Sequence, residues 1–268
     1  MFFRSDAEVV TVDEPKTGKH RRVQEDSPDV HPATACRAAL TVRLAMTPDL
    51  PADPEGAAAL QERLRDSVLT HDPRPPRFRT VAGLDSAYDE SGAVVAAVVV
   101  LDIDTMATVD TAVARGTTRF PYVPGLLAFR ELPTTLAALE RLETTPDLLI
   151  CDGQGIAHPR RFGLACHLGV LTGLPSIGVA KTVWGRCDEP AAARGSVSDI
   201  TVDGEVVGRA LRTQPGIKPV YVSVGHRISL DTACAQVLAL APKYRQPETT
   251  RRADHLCRTL LRDTVARG

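Results

Sequence analysis

Two aspartates stand in apolar, strand-like segments. Asp85 lies in VAGLDSAY (Val81–Tyr88), and Asp152 ends the apolar stretch DLLICD. A strand that runs apolar into Asp delivers its carboxylate to the end of a sheet, where α/β proteins place ligands. Two carboxylates brought together there repel unless they are protonated or neutralised by a cation. Mg²⁺ suits such a pair, because it takes oxygen ligands and keeps waters for chemistry. The competing reading is that each Asp only caps the next turn; two such strands in one chain shift the balance toward a shared site.

Other polar residues gather around these two. YVPGLLAFRE (Tyr122–Glu131) sets a Pro-Gly turn beside an aromatic ring, which by itself is a tight turn with one packing aromatic. Glu131 precedes Pro133, and by position alone it is a charge at a helix start. DGQGIAHPRRFG (Asp152–Gly163) combines small residues with His158, Arg160 and Arg161 at an expected helix start. That pattern suits an anionic ligand or a solvated helix face. Residues 151–186 carry four Lys/Arg against one Asp, and residues 241–268 carry seven against three Asp/Glu. Basic segments in a near-neutral chain fit a groove that grips phosphates. No GxxxxGK[ST] loop and no GxGxxG opening a helix is present, so no nucleotide cofactor is expected.

The elements that must position these residues follow from the apolar pattern. Leu60, Leu64 and Val68 recur at four-residue steps in an expected helix over 55–69. Thr80–Tyr88 and Ala93–Ile103 read as two strands joined by a DESG turn, with a third over 105–113. Leu132–Leu142 reads as a helix with Pro133 in its first turn. A strand over 147–151, a helix over 159–171 and a strand over 175–180 come next. A hairpin over 199–202 and 206–211 turns on Asp203-Gly204, followed by a strand over 220–224 and helices over 229–240 and 250–261. Hairpin strands followed by alternating helices and strands predict one α/β domain with a mixed sheet flanked by helices, spanning 39–268. Residues 1–38 mix six basic and seven acidic side chains without an apolar period; they are expected to be a disordered extension.

Composition narrows the function classes. The 268 residues are 43% hydrophobic, with a formal net charge of −1, which supplies a core and disfavours a polycationic nucleic-acid coat. The longest apolar run, Ala93–Leu101, falls short of the ~20 residues that a spanning helix needs, so no membrane association is expected. The N-terminal residues carry acids where an export signal needs apolar ones. Six cysteines without a CxxC pair read as reduced, mostly buried thiols of a cytoplasmic protein.

Taken together, VAGLDSAY, FPYVPGLLAFRE, LLICDGQGIAHPRRFGLACHLGVLTGLPSIGVAK, GRALRT, VYVSVGHRISL and PETTRRADHL resemble the endonuclease V family, the deoxyinosine 3′ endonucleases, from about residue 75 to 260 and in the family order. The resemblance implies an RNase H-like fold. It implies Mg²⁺-dependent cleavage of DNA, with Mn²⁺ able to substitute, at the second phosphodiester 3′ to a deaminated purine. The products carry 5′-phosphate and 3′-hydroxyl ends, and inosine-containing RNA is a substrate in parts of the family. By the same resemblance Asp85, Asp152 and Glu131 match metal-binding acids, Asp254 matches a position near the metal, and Lys181 matches a lysine beside the scissile phosphate. Tyr122 matches a wedge that fills the gap left by the extruded base. Pro124, Gly125, Leu127, Gly153 and His158 match the lesion-binding segments. Gln154 departs from the His or Asn of many relatives, and His226 fits a family motif without an assigned role. The alternatives are an inosine-specific ribonuclease, an RNase H-like nuclease of the junction-resolvase type, and a non-catalytic inosine- or RNA-binding protein. The expected working form is a monomer.

Overall fold

Alternate residues of AVVAAVVVLD face two different helix layers, and the architecture is organised around that strand. A computed structural model describes residues 49–73, 77–118 and 120–265; the expected disordered extension over 1–38 lies outside them. The strands are β1 (Thr80–Tyr88), β2 (Ala93–Asp102), β3 (Thr108–Thr117), β4 (Leu148–Cys151), β5 (Ser176–Ala180), β6 (Arg186–Cys187), β7 (Val197–Val202), β8 (Glu205–Leu211) and β9 (Val220–His226). The helices are α1 (Pro54–Leu64), α2 (Ala128–Leu139), α3 (Leu164–Thr172), α4 (Leu230–Ala239) and α5 (Glu248–Val265). The strands form one mixed sheet in the order β3-β2-β1-β4-β5-β9-β8-β7-β6. Within it β1, β4 and β5 are mutually parallel, and the flanking pairs are antiparallel.

On one face Ala96, Val98 and Val100 of β2 pack with Leu132, Leu136 and Leu139 of α2 and Leu168 of α3. On the other, Val95, Ala97, Val99 and Leu101 pack against Ala253 and Cys257 of α5. Further along the sheet Val81, Ile150, Ile177 and Val222 pack against Ala233 and Val237 of α4. Helices on both faces explain why β2 is apolar at every position from Ala93 to Leu101 instead of every second one.

Several expected boundaries move. The third strand starts at Thr108, not at 105. The Asp102 carboxylate accepts the Thr105 N–H (2.9 Å) and hydroxyl (2.8 Å), and Met106 turns with φ 57°, so these residues close the bend. Helix α2 begins at Ala128, so Glu131 lies inside it instead of ahead of it, and Pro133 sits within the helix. Helix α3 begins at Leu164 rather than 159, because His158–Arg161 close a turn (Arg161 N–H to His158 O, 2.9 Å) with Arg161 at φ 57°. β6 was not foreseen. The hairpin turn on Asp203 (φ 54°) and Gly204 (φ 82°) has both central residues left-handed, as the twist of paired strands requires. Cys151, Cys166, Cys234 and Cys257 are buried and Cys187 half-buried, all as free thiols.

Candidate active site

The strand register brings the two aspartates together. Leu84 of β1 pairs with Cys151 of β4, so Asp85 and Asp152 are the next residues on neighbouring parallel strands, which lie ~4.8 Å apart. The period-2 pattern sends them to one face. Val81, Ile150 and Ile177 point toward the α4 side, and Asp85, Asp152 and Lys181 fall an even number of residues beyond them. Lys181 follows β5 and donates from Nζ to Asp152 Oδ2 at 2.5 Å.

Helix α5 supplies the fourth residue by lying unusually close to β1. A Cβ on Gly83 would stand 2.5 Å from the Thr250 nitrogen and nearer still to the Thr249 carbonyl. Glycine in VAGLD therefore lets the start of α5 rest on the strand. Asp254, just over one turn later, reaches hydrogen-bond contact with Asp85. Glu131 comes from α2 on the opposite face and is 7% exposed.

The electrostatics are those of crowded acids. Burial and the Asp152 charge push the Asp85 carboxyl well above the usual carboxylate range. Burial, then Asp85 and Asp152, push Glu131 up to about 8. Burial opposes the charge of Asp254, but the Arg258 guanidinium and the shared contact with Asp85 outweigh it and hold its pKa low. Burial likewise opposes the charge of Lys181, yet the Asp152 carboxylate holds its ammonium above the ordinary value. Among the described residues no three His, Cys, Asp or Glu side chains stand at ligand spacing as a ready-made metal cluster. Lys181 is drawn onto Asp152, and Asp85 onto Asp254. The donor set, hard oxygens with an excess of negative charge in a half-buried cleft, nonetheless has the chemistry that Mg²⁺ takes.

Beside the acids lies a cavity of about 230 Å³. Tyr122, Pro124, Gly125, Leu127, Gly153 and His158, drawn from segments some thirty residues apart, all line it. Tyr122 is 69% exposed at this site. The Gly125 turn (φ 80°) is held by its carbonyl, which accepts from His158 Nε2 (2.8 Å), Gln61 Nε2 (3.1 Å) and Arg160 Nη2 (3.1 Å). His158 Nδ1 accepts the Arg160 N–H (3.2 Å), which makes it the neutral Nε2–H tautomer. Burial pushes its pKa down to about 4, so His158 positions the turn as a neutral donor.

The structure gives Arg160 and Arg161 loop partners of their own. Arg160 is engaged by Gln61 Oε1 (2.6 Å) and the Gly125 carbonyl, and Arg161 by the Val202 carbonyl (3.0 Å) and Glu205 (3.3 Å). His226 stands apart from the acids; its Nδ1 accepts the Leu69 N–H (3.3 Å) and pins the segment after α1 to the end of β9. Sequence reading missed Gln61, which is fully buried under the Gly125 turn, and Trp184, which lines the cavity. The lone tryptophan three residues after Lys181 was a usable signal; nothing in the pattern of α1 marks Gln61.

A mixed sheet carrying acids side by side on adjacent parallel strands, with helices on both faces, is the architecture of RNase H-like nucleases. The family profile described as Endonuclease V matches residues 62–255. An endonuclease V of Nocardia farcinica is 65% identical over 214 residues, covering 80% of this chain and 95% of that one. The crystal structure of endonuclease V from Streptomyces avermitilis aligns with a TM-score of 0.78 at 57% identity, covering 84% of this chain and 99% of that one. Endonuclease V of Ciona intestinalis, solved in complex with a 23mer DNA containing an inosine followed by a ribo-adenosine, aligns with a TM-score of 0.70 at 29% identity, covering 78% and 97%. The chain belongs to the endonuclease V family and is a nuclease. No helix among the described residues is long and apolar enough to cross a membrane.

Proposed function

We propose that this nuclease acts on deaminated purine in DNA, hydrolysing the second phosphodiester 3′ to an inosine with Mg²⁺ and leaving 5′-phosphate and 3′-hydroxyl ends. It works in the cytoplasm as a monomer. The observation that carries the reading is the meeting of Asp85, Asp152, Asp254 and Lys181 at one end of the sheet, beside the cavity under Tyr122. The relative from Ciona, bound to inosine-containing DNA, supports the same substrate class.

Each residue then has a physical task. Asp85 and Asp152 would hold the Mg²⁺, which when bound supplies Lewis-acid activation of a water and offsets charge on the phosphate. Glu131, buried beside them, would complete the ligand set or orient that water. The Lys181 ammonium would neutralise a non-bridging phosphate oxygen. Inosine pairs weakly, so extruding it costs at most a few kcal/mol. The exposed Tyr122 ring would recover part of that by stacking, worth about 1–3 kcal/mol per base.

The direct test uses matched oligonucleotides with one inosine, as DNA and as RNA, with Mg²⁺ and with EDTA, and maps the cut. A single Mg²⁺-dependent cut two bonds 3′ to the inosine of the DNA is expected, and Tyr122→Ala should lose preference over undamaged DNA. Cuts that ignore the inosine would overturn the reading. Preferential cutting of the RNA would make the ribonucleic substrate the principal one.

The cation also has a signature in stability. Asp85 and Glu131 bind protons more tightly in the folded chain than in the unfolded one. Protonation therefore favours the fold, and that contribution is lost as pH rises through about 8. Asp254, held low, acts only in the acid range. Without metal the Tm should decline from about pH 6 to about pH 9, and Mg²⁺ should raise it more at the upper end. An equal Mg²⁺ shift in thermal unfolding at both ends would remove these acids as the cation site.

A further inference from the structure

A second groove opens on the other side of the acids. It measures about 490 Å³ and is lined by Ser86 and Tyr88 at the end of β1, by Glu131, and by Asp254, Arg258 and Arg262 of α5. The first cavity instead touches Gly153, next to Asp152, and Thr182, next to Lys181. Because β1, β4 and β5 are consecutive in the sheet, the Asp85–Asp152 pair separates the two. A strand whose inosine occupies the first cavity and whose cleaved bond lies at the acids must continue away from that cavity, toward the second.

The chemistry of the groove suits such a strand. Asp254, Arg258 and Arg262 recur every four residues, which places them on one face of α5 at steps of ~6 Å. Arg258 is ion-paired to Asp254 at 2.6 Å, with its side chain 65% exposed. Among the described residues the Arg262 guanidinium makes long contacts with its own helix, to the Arg258 carbonyl (3.3 Å) and the Thr259 hydroxyl (3.4 Å), and a phosphate would replace them with stronger, charge-assisted bonds. On the opposite wall the Tyr88 ring lies under the Arg130 guanidinium, 5.0 Å from the ring centroid.

We propose that this groove holds the nucleic-acid strand on the 3′ side of the cut, with Arg258 and Arg262 taking successive phosphates and Tyr88 offered to a base. The inference rests on the nuclease reading above. Its test is binding, read by fluorescence anisotropy in EDTA, of inosine oligonucleotides that end one, two, three or four nucleotides beyond the cut. With the parent chain, lengthening the 3′ side should tighten binding about tenfold and steepen the salt dependence. Arg262→Glu, at an exposed position near the end of α5, should abolish most of that gain, lower the salt slope by about one to two, and leave binding of the shortest oligonucleotide unchanged. The same gain in Arg262→Glu as in the parent, or a parent gain only from lengthening the 5′ side, would overturn the proposal. Adenine-for-inosine controls test the substrate reading separately: equal affinity there sinks inosine recognition, while the 3′-length dependence still reports on the groove.

Discussion

Asp152→Ala should bind inosine-containing DNA within a few-fold of the parent yet cut it about 10³-fold more slowly. The two effects separate because the residue has no part in the cavity under Tyr122. Its carboxylate stands beside Asp85 and holds Lys181 Nζ at 2.5 Å. Removing it takes away an oxygen donor for the cation and frees the ammonium that would face the phosphate. Binding should not suffer, since one fewer negative charge then faces the DNA backbone. Single-turnover cleavage with enzyme in excess, beside anisotropy in EDTA, measures both halves; a rate within about tenfold of the parent would sink the assignment. The variant carries a second expectation. Asp152 contributes to the raised proton affinity of Asp85 and Glu131, so without metal Asp152→Ala should melt above the parent near neutral pH, as expected of a site that trades stability for activity.

Gly83→Ala should damage the enzyme without touching any charged residue. The new methyl carbon would meet the Thr250 nitrogen at 2.5 Å and the Thr249 carbonyl closer still. These are backbone atoms of a helix whose Ala253 and Cys257 are fully buried. Neither side can rotate away, so α5 must lift off β1. Overpacking of this kind costs about 1–3 kcal/mol or more, equivalent to a Tm loss of roughly 2–12 °C for a domain of this size. The displaced helix also carries Asp254 away from Asp85, so cleavage should fall although every acid and Lys181 remain. Thermal unfolding and the cleavage assay on one preparation check this; an unchanged Tm with full activity would show that the approach of α5 at Gly83 is not needed.

Much of the molecule was legible in the chain because it rests on local pattern. VAGLDSAY and AVVAAVVVLD alternate or saturate with apolar residues as strands do, and β1 is found at Thr80–Tyr88 as read. Asp203-Gly204 specified its hairpin turn through left-handed backbone that few other pairs tolerate. Asp152 is legible as a candidate ligand from its place at the end of an apolar run, and Asp85 from its place inside a strand that otherwise wants burial. Boundaries failed where nonlocal contacts outvote propensity. Helix α3 starts late because the chain before it is held in turns whose Gly155 abuts the Val224 carbonyl. Helix α2 starts early because Leu126 and Phe129 have an apolar pocket against Ala57 and Leu60 of α1.

Sequence alone determined which residue types could do the chemistry and, through strand period, that Asp85 and Asp152 belong to apolar, strand-forming segments. Tertiary structure decided which of the polar residues work together. It set Arg160 and Arg161 to hold loops, made His158 a neutral donor to the Gly125 carbonyl, and brought Asp254 to Asp85 across a separation of 169 residues. The reason is physical. Periodicity encodes which face a side chain takes, but the partner on that face is chosen by the packing of distant elements, here by the absence of a single Cβ at Gly83.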